Sequence, residues 1–376
     1  MVSMSQENPS RNSKNTLRKH KSGKKRSPMA VWILLILIAV WMGLHFLPTK
    51  YERYRPIPDV TALISLLIVP LVILFFVAVS HRSFWQSLVS LILIAINLVW
   101  SIGYVTPLPR QVSTIFSMPA QNSAVTPGQT AAQTAQTTQT ASVTVMTLNG
   151  RYGRADASSI VHAVEQNHVD VLCMQEVTED LVKRLDQDGL TARLPYSQLG
   201  ESGENDNGGF NAIWTRQAPV ESHPASLPIA SSNVPTATIF VGNQPVLFAS
   251  AHPMSPGRGG QAWQQSLSSL GAFGRLNNPL LANRTQVTSQ VVMGDLNSNL
   301  HHTALRDVLK AGLTDSGYQL HKGMNLSFPA SWPLFPALIE IDHVLYAGGI
   351  HATFLKTVAI PHTDHKALIG TLALEV

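Results

Sequence analysis

Cysteine is almost absent: the 376 residues contain one, Cys173. No intrachain disulfide can form, so no covalent cross-link supports the fold. Cys173 lies inside an apolar, strand-like run and reads as a small buried hydrophobe rather than a reactive thiol. Charge is scarce as well. Asp, Glu, Lys and Arg make up 13% of the chain, against about 25% in an ordinary soluble domain. The shortage is local. Three stretches, about 30–47, 60–79 and 84–105, contain none of the four charged residue types.

Each of these blocks approaches the ~20 residues needed to span ~30 Å of hydrocarbon. Trp32, Trp41, Trp85, Trp100 and Tyr104 lie near their ends, as interfacial aromatic belts do. A simple cleaved signal peptide fits poorly with three blocks in succession. Pro70 falls in the middle of the second block and predicts a kink there. His45, Gln86 and Asn97 are the polar exceptions. With no Asp, Glu, Lys or Arg beside them they read as interhelical or interfacial residues, not a transport path. Residues 1–28 carry eight Lys/Arg against Glu7 alone. The composition predicts a disordered basic tail, either a nucleic-acid-binding arm or a cytoplasmic flank meeting anionic lipid. Its place directly before an apolar block favours the flank. Three crossings from a cytoplasmic N-terminus predict a multi-pass protein of the cell membrane, with everything after residue 143 extracytoplasmic. Lys50, Arg53 and Arg55, in the outer connection, run against that charge rule.

Residues 107–142 read as a linker. Four prolines precede the Gln/Thr/Ala run 129–142, which cannot bury a core and predicts a flexible spacer holding the next unit away from the membrane. Residues 143–376 then alternate strand-like and helical patterns. Strands are expected at 143–149, 169–175, 211–215, 236–241, 245–251, 287–293, 339–345, 353–359 and 367–374. Helices are expected at about 157–167, 178–188, 261–276 and 302–311, with Thr178 as an N-cap and Gly189 as a stop. The mixture predicts one layered α/β domain.

That domain lacks a basic surface. It holds 14 Lys/Arg against 19 Asp/Glu, so the chain's overall +5 belongs to its first 142 residues. No cationic run or stripe marks a duplex-binding face, which argues against a processive nuclease.

Polar residues collect where the buried strands end. "QVVMGDLNSNL" leads an apolar run into Gly294, Asp295 and Asn297. A carboxylate and a carboxamide two residues apart, just past a rigid strand, suit a hard cation or an aimed water; they also suit an ordinary turn. Three other places repeat the pattern. "VTVMTLNG" ends at Asn149, "VDVLCMQEV" at Gln175 and Glu176, and the C-terminal pair carries Asp342, Asp364 and His365. His252 follows the run "VLFASA".

In this order, over residues 143–376, the motifs resemble the endonuclease/exonuclease/phosphatase superfamily, the metal-dependent phosphoesterases related to DNase I, sphingomyelinases and inositol-phosphate phosphatases. The resemblance implies a DNase I-like four-layer sandwich: two packed sheets flanked by helices, with the site at one end. It implies Mg²⁺ or Mn²⁺ as cofactor, with Glu176 as the principal ligand, Asn149 beside it and Asp364 adding a contact. Asp295 would orient or deprotonate water, and Asn297 would fix the phosphate or the water. His252 would bind phosphate or donate a proton. His365, fixed by Asp342, would stabilise charge. Thr363 stands where the family usually has Ser, and the Gly-rich loop 200–210 is acidic where its nucleases contact DNA. The expected activity is hydrolysis of a phosphate ester or diphosphate on a lipid-linked substrate at the bilayer, either an envelope lipid phosphate or a phospholipid head group. A surface-tethered nuclease is the alternative enzyme, and an inactive binding or sensor protein the alternative class. His301, His302, His343 and His362 are read as structural.

Overall fold

The computed structural model describes residues 29–119, 141–201, 208–332 and 335–374. The basic tail, the 120–140 part of the linker and residues 202–207 of the Gly-rich loop lie outside the described residues.

Two six-stranded sheets form the body. The first has the order β11-β12-β1-β2-β4-β3, with β1 at Ser142–Asn149, β2 at Val171–Val177, β3 at Tyr196–Leu199, β4 at Phe210–Thr215, β11 at Ile350–Ala359 and β12 at Lys366–Leu374. The second runs β5-β6-β7-β8-β10-β9, with β5 at Glu221–Pro228, β6 at Asn233–Val241, β7 at Gln244–Ser250, β8 at Ser289–Asp295, β9 at Thr314–Asp315 and β10 at Asp342–Gly348. All nine expected strands and all four expected helices of the domain are present. The strands missed, β3, β5 and β9, all lie at sheet edges and carry too little apolar alternation to read. The local signals held: Thr178 accepts from the Leu181 amide and Gly189 follows at φ +92°.

Strand alternation sorts the side chains. Val145, Val171, Cys173 and Ile213 of the first sheet face Ile239, Phe248, Val291, Met293 and Val344 of the second. The outer face of the first sheet, with Met146, Leu148, Leu172 and Met174, packs on the helices Ala157–Gln166 and Glu179–Gln187. The outer face of the second, with Leu247, Ala249, Val292 and Leu345, packs on Trp263, Leu267 and Leu305. Each sheet contains one parallel pair, β1 with β2 and β7 with β8. The antiparallel neighbours β12 and β10 start beside the ends of β1 and β8. This arrangement gathers six strand ends at one edge of the sandwich.

The apolar N-terminal region forms the helices Met29–Gly43, Ile68–Ser80 and Phe84–Ile102. Two helical segments, Met29–Phe46 and Phe84–Ile102, are long and apolar enough to cross a membrane; Ile64–Ser80 is apolar but shorter. The second block is broken because short helical turns at Ile57–Thr61 and Ile64–Leu67 precede its main helix. Pro70 therefore sits in the first turn of that helix, where its missing N–H leaves no hydrogen bond unmade, and does not act as a mid-helix kink. Asn97 makes the interhelical contact its position suggested, donating to the Ile64 carbonyl at 2.9 Å.

The spacer reading of residues 107–119 does not hold. They include a helix, Arg110–Ile115, and Met118 is buried in the same apolar core as Leu35, Leu71, Trp100, Trp263 and Leu305. The domain is docked on the N-terminal helices. Glu52 caps the helix Thr303–Lys310 from across this junction, accepting from the Thr303 and Ala304 amides at 2.8 Å each. His302 meets the Pro58 carbonyl and Asn299 donates to the Ala62 carbonyl, each at 2.9 Å. A partner surface supplied by residues 44–62 was illegible in sequence because each of these contacts spans more than 230 positions.

Candidate active site

Asn149 ends β1, and its backbone leads into a turn that holds its side chain. The amide oxygen accepts from the Arg151 N–H at 2.8 Å, which leaves Nδ2 to donate to Glu176 Oε1 at 3.1 Å and Asp295 Oδ2 at 3.0 Å. Asn149 thus ties together two carboxylates from different sheets.

Glu176 lies at an irregularity where β2 pairs with β4, between Met174 and Val177, and has φ +52°. This left-handed backbone is uncommon for a non-glycine residue and turns the carboxylate out of the strand's alternation. Oε2 accepts from the Tyr152 amide at 2.8 Å. Gly208 approaches so closely that a Cβ there would sit 2.5 Å from Oε2.

Asp295 ends β8. Oδ1 accepts from the Asn297 amide at 2.8 Å. Oδ2, besides Asn149, faces His252 Nε2 at 3.4 Å and His365 Nε2 at 3.6 Å. Gly294 before it, at φ +154°, lies against Ala251, whose carbonyl oxygen a Cβ would strike. The glycine of the Gly-Asp pair is therefore a close-approach residue. Burial works against ionisation of Asp295, but the two imidazoles and the Asn297 amide outweigh it and hold the carboxyl down to about 2.

Asn297, at φ +48°, donates from Nδ2 to the Pro253 carbonyl at 3.1 Å, and its own carbonyl accepts from the Trp263 indole at 3.0 Å. Asp342 opens β10 opposite Asp295 in register. Its Oδ2 lies 2.8 Å from His365 Nδ1. The His365 ring meets Phe328 in a tilted contact with centroids 4.9 Å apart, and its amide donates to the Thr363 hydroxyl, which donates to the Asn149 carbonyl. Thr363 thus performs the bridging its hydroxyl allows. Burial would lower the basicity of His365; Asp342 and Asp295 overcome it and push the ring up to about 10. The two flanking carboxylates favour its protonated form.

Seven of the eight expected site residues converge here. Asp364 is at the rim, where its carboxylate pairs with Arg151 at 3.5 Å. His301, His302 and His343 take structural posts, His343 between Asp315 Oδ2 at 2.6 Å and the Ser298 carbonyl at 2.9 Å. What sequence reasoning missed is the loop after β1: Arg151, Tyr152 and Gly153 are all left-handed, at φ +47°, +54° and +68°. Nothing short of the Glu176 contact signals that conformation.

The profile of the Endonuclease/Exonuclease/phosphatase family matches residues 146–365, more than half of the chain. The chain belongs to that family. Members of the endonuclease/exonuclease/phosphatase family generally hydrolyse phosphoester bonds and typically use divalent metals. Among solved structures the chain is similar to D. rerio TDP2 humanized by 14 mutations, at 15% identity and TM-score 0.49, covering 61% of this chain and 98% of that one. It is also similar to a family protein from Bacteroides thetaiotaomicron, at 19% identity and TM-score 0.48, covering 63% and 97%. No curated protein sequence matches it.

The donor set fits a hard divalent cation. Glu176 presents oxygen, and Gly208 leaves the space before it clear of any Cβ. Asp295, Asp342 and His365 also cluster within 4.8 Å. There, however, both imidazole nitrogens already face carboxylates. In that trio His365 is held between Asp342 and Asp295.

Proposed function

We propose that the protein is a membrane-anchored, extracytoplasmic phosphohydrolase that acts on a lipid-linked phosphate ester or diphosphate and uses Mg²⁺ or Mn²⁺. The observation that carries the hydrolytic reading is the relay Asp342–His365–Asp295, joined through Asn149 to Glu176. Glu176 holds the cation, with Asn149 beside it and Asp364 adding a contact from the rim. The cation supplies charge neutralisation at the phosphoryl oxygens. Asp295, ionised, orients the attacking water and takes its proton. Asn297 fixes the phosphate or the water, His252 faces the phosphoryl group, and the His365 imidazolium stabilises the charge that develops.

The membrane reading is supported by an inverted pattern of exposure. Ile33, Ile36, Leu37, Val40, Ile73, Phe76, Leu91 and Leu98 are exposed on the helices, whereas Gln86, Ser90 and Asn97 are buried. An exposed apolar surface of this extent needs a cover, and three spans, with the shorter Ile64–Ser80 segment as the second, provide one. Docking of the domain on those helices supports a substrate that resides in the bilayer.

The deciding experiment uses the full-length protein in nanodiscs with Mg²⁺. Phosphate release from a polyprenyl diphosphate, absent in Asp295→Ala, is expected. Cleavage of single- or double-stranded DNA with no release from the lipid would replace this reading with a tethered nuclease. Failure to bind Mg²⁺ by calorimetry would make the fold a binding scaffold.

A further inference from the structure

The segment Leu296–His302 joins β8 to the helix Thr303–Lys310 and belongs to neither. It carries Asn297, whose left-handed backbone, at φ +48°, is costly for a residue with a side chain. Such a conformation persists only where its surroundings over-determine it. Three bonds within the site contribute. The Asn297 amide donates to Asp295, its side chain donates to the Pro253 carbonyl, and its carbonyl accepts from the Trp263 indole. A second set of contacts reaches the segment from outside the domain.

From Asn299 onward the segment is fastened to residues 45–65. Asn299 donates to the Ala62 carbonyl at 2.9 Å, and His301 meets Ser65 Oγ at 2.8 Å and His45 Nδ1 at 3.2 Å. His302 links both sides. Its Nδ1 accepts from the Asn299 amide at 3.0 Å, which leaves Nε2 as the N–H that donates to the Pro58 carbonyl at 2.9 Å. One tautomer serves both bonds. Burial pulls the ring down to about 4, so it keeps this neutral form near pH 7. The ring is fully buried and meets Trp263 edge-on, with centroids 5.2 Å apart. Trp263 is the donor to the Asn297 carbonyl. A continuous path of contacts therefore runs from Pro58 through His302 and Trp263 to Asn297.

We propose that His302 is a positioning residue for the candidate active site. Through Trp263 and the Asn299 amide it holds the loop of Asn297 in its working conformation, and it makes that conformation depend on the seating of the domain on residues 45–65. The inference rests on the reading of Asn297 as the group that fixes the phosphate or the water, and adds to it a control by the N-terminal region. His302 acts through Asn297 and not on the substrate. A shift of about 1 Å in a positioned group costs up to roughly 10²-fold in rate, so a loose brace is felt in turnover before it is felt in stability. The helix Thr303–Lys310 is held separately by Glu52. His302 can therefore be altered without releasing that helix.

The test uses full-length protein in nanodiscs with Mg²⁺ and two variants that separate the two bonds of the ring. His302→Asn keeps an acceptor near the place of Nδ1 and is a favoured helix N-cap, but loses the reach to Pro58. His302→Gln keeps a donor near the place of Nε2. The kcat of His302→Asn is expected to fall roughly tenfold or more, with KM and the thermal midpoint close to wild type, and His302→Gln is expected to recover most of the lost turnover. The substrate is polyprenyl diphosphate, or single-stranded DNA where the wild type cleaves that alone. Hydrogen exchange gives a readout that needs no substrate: peptides covering 295–300 are expected to exchange faster in His302→Asn, with those covering 244–250 unchanged. Normal turnover in His302→Asn, or losses in both variants that track the thermal midpoint, would overturn the positioning role. If the wild type hydrolyses neither substrate, exchange decides. Faster exchange confined to the loop would then uphold the brace and overturn the phosphohydrolase reading, and unchanged exchange would overturn the brace.

Discussion

His365 Nδ1 lies 2.8 Å from Asp342 Oδ2, and the opposite nitrogen of the same ring faces Asp295. The first contact fixes ring orientation and favours protonation; the second puts the resulting charge beside Asp295, the group proposed to orient water. His365→Ala is expected to lower turnover by roughly 10²–10⁴-fold with an unchanged circular-dichroism spectrum. Asp342→Asn is expected to lower turnover too and to bring a basic-limb pKa of the pH–rate profile down toward neutrality, because one of the carboxylates that raises the ring is gone. Normal turnover in His365→Ala would remove the relay from the mechanism.

Glu176→Gln keeps the size of the side chain and the oxygen facing the Tyr152 amide but removes the charge. The expected outcome is a Mg²⁺ activation curve shifted to higher concentration, with the thermal midpoint close to wild type. An unshifted curve would assign the cation elsewhere.

His343 and Asp315 form a buried pair outside the site. Burial depresses the imidazole, but Asp315 outweighs it and pushes His343 up to about 9. A raised folded pKa means the native state binds the proton more tightly than the unfolded chain does. The pair's contribution is therefore complete below pH ~6.5 and is lost as pH rises through about 9. Asp315→Asn is expected to cost about 3–5 kcal/mol, read by denaturant unfolding near neutral pH. It should also flatten the decline between those pH values, and an identical alkaline decline in the variant would refute the assignment.

Glu52 joins the N-terminal region to the domain by capping the helix Thr303–Lys310. Glu52→Ala strands two backbone donors and is expected to destabilise docking by about 1–3 kcal/mol. The measurement is the thermal midpoint of the full-length protein in detergent. Burial raises the Glu52 carboxyl to about 7, so this junction is expected to weaken as pH rises from about 4.5 through 7 in the wild type and not in Glu52→Gln.

The number of membrane spans decides on which side the domain lies. A C-terminal reporter active only outside the cytoplasm is expected for three spans. Activity only in the cytoplasm would mean an even number and would contradict the proposed location.

Most of the sandwich was legible in the sequence, because each central strand is an apolar run bounded by polar residues and the helix after β2 has a readable start at Thr178. The site motifs were legible too, since Asn149, Glu176, Asp295 and His365 each follow or precede such a run directly. Strand periodicity is a local property, and a motif at a strand end needs only that strand to exist. What the tertiary structure alone decided are the relations across the chain. Asn149 bonds Asp295 over 146 positions, Arg258 meets the Tyr152 ring over 106, and Glu52 caps a helix 251 residues away. The left-handed turn around Glu176 and the docking of residues 107–119 belong to the same class. Such contacts depend on where two sheets and three apolar helices finally pack, and no pattern confined to neighbouring residues encodes that.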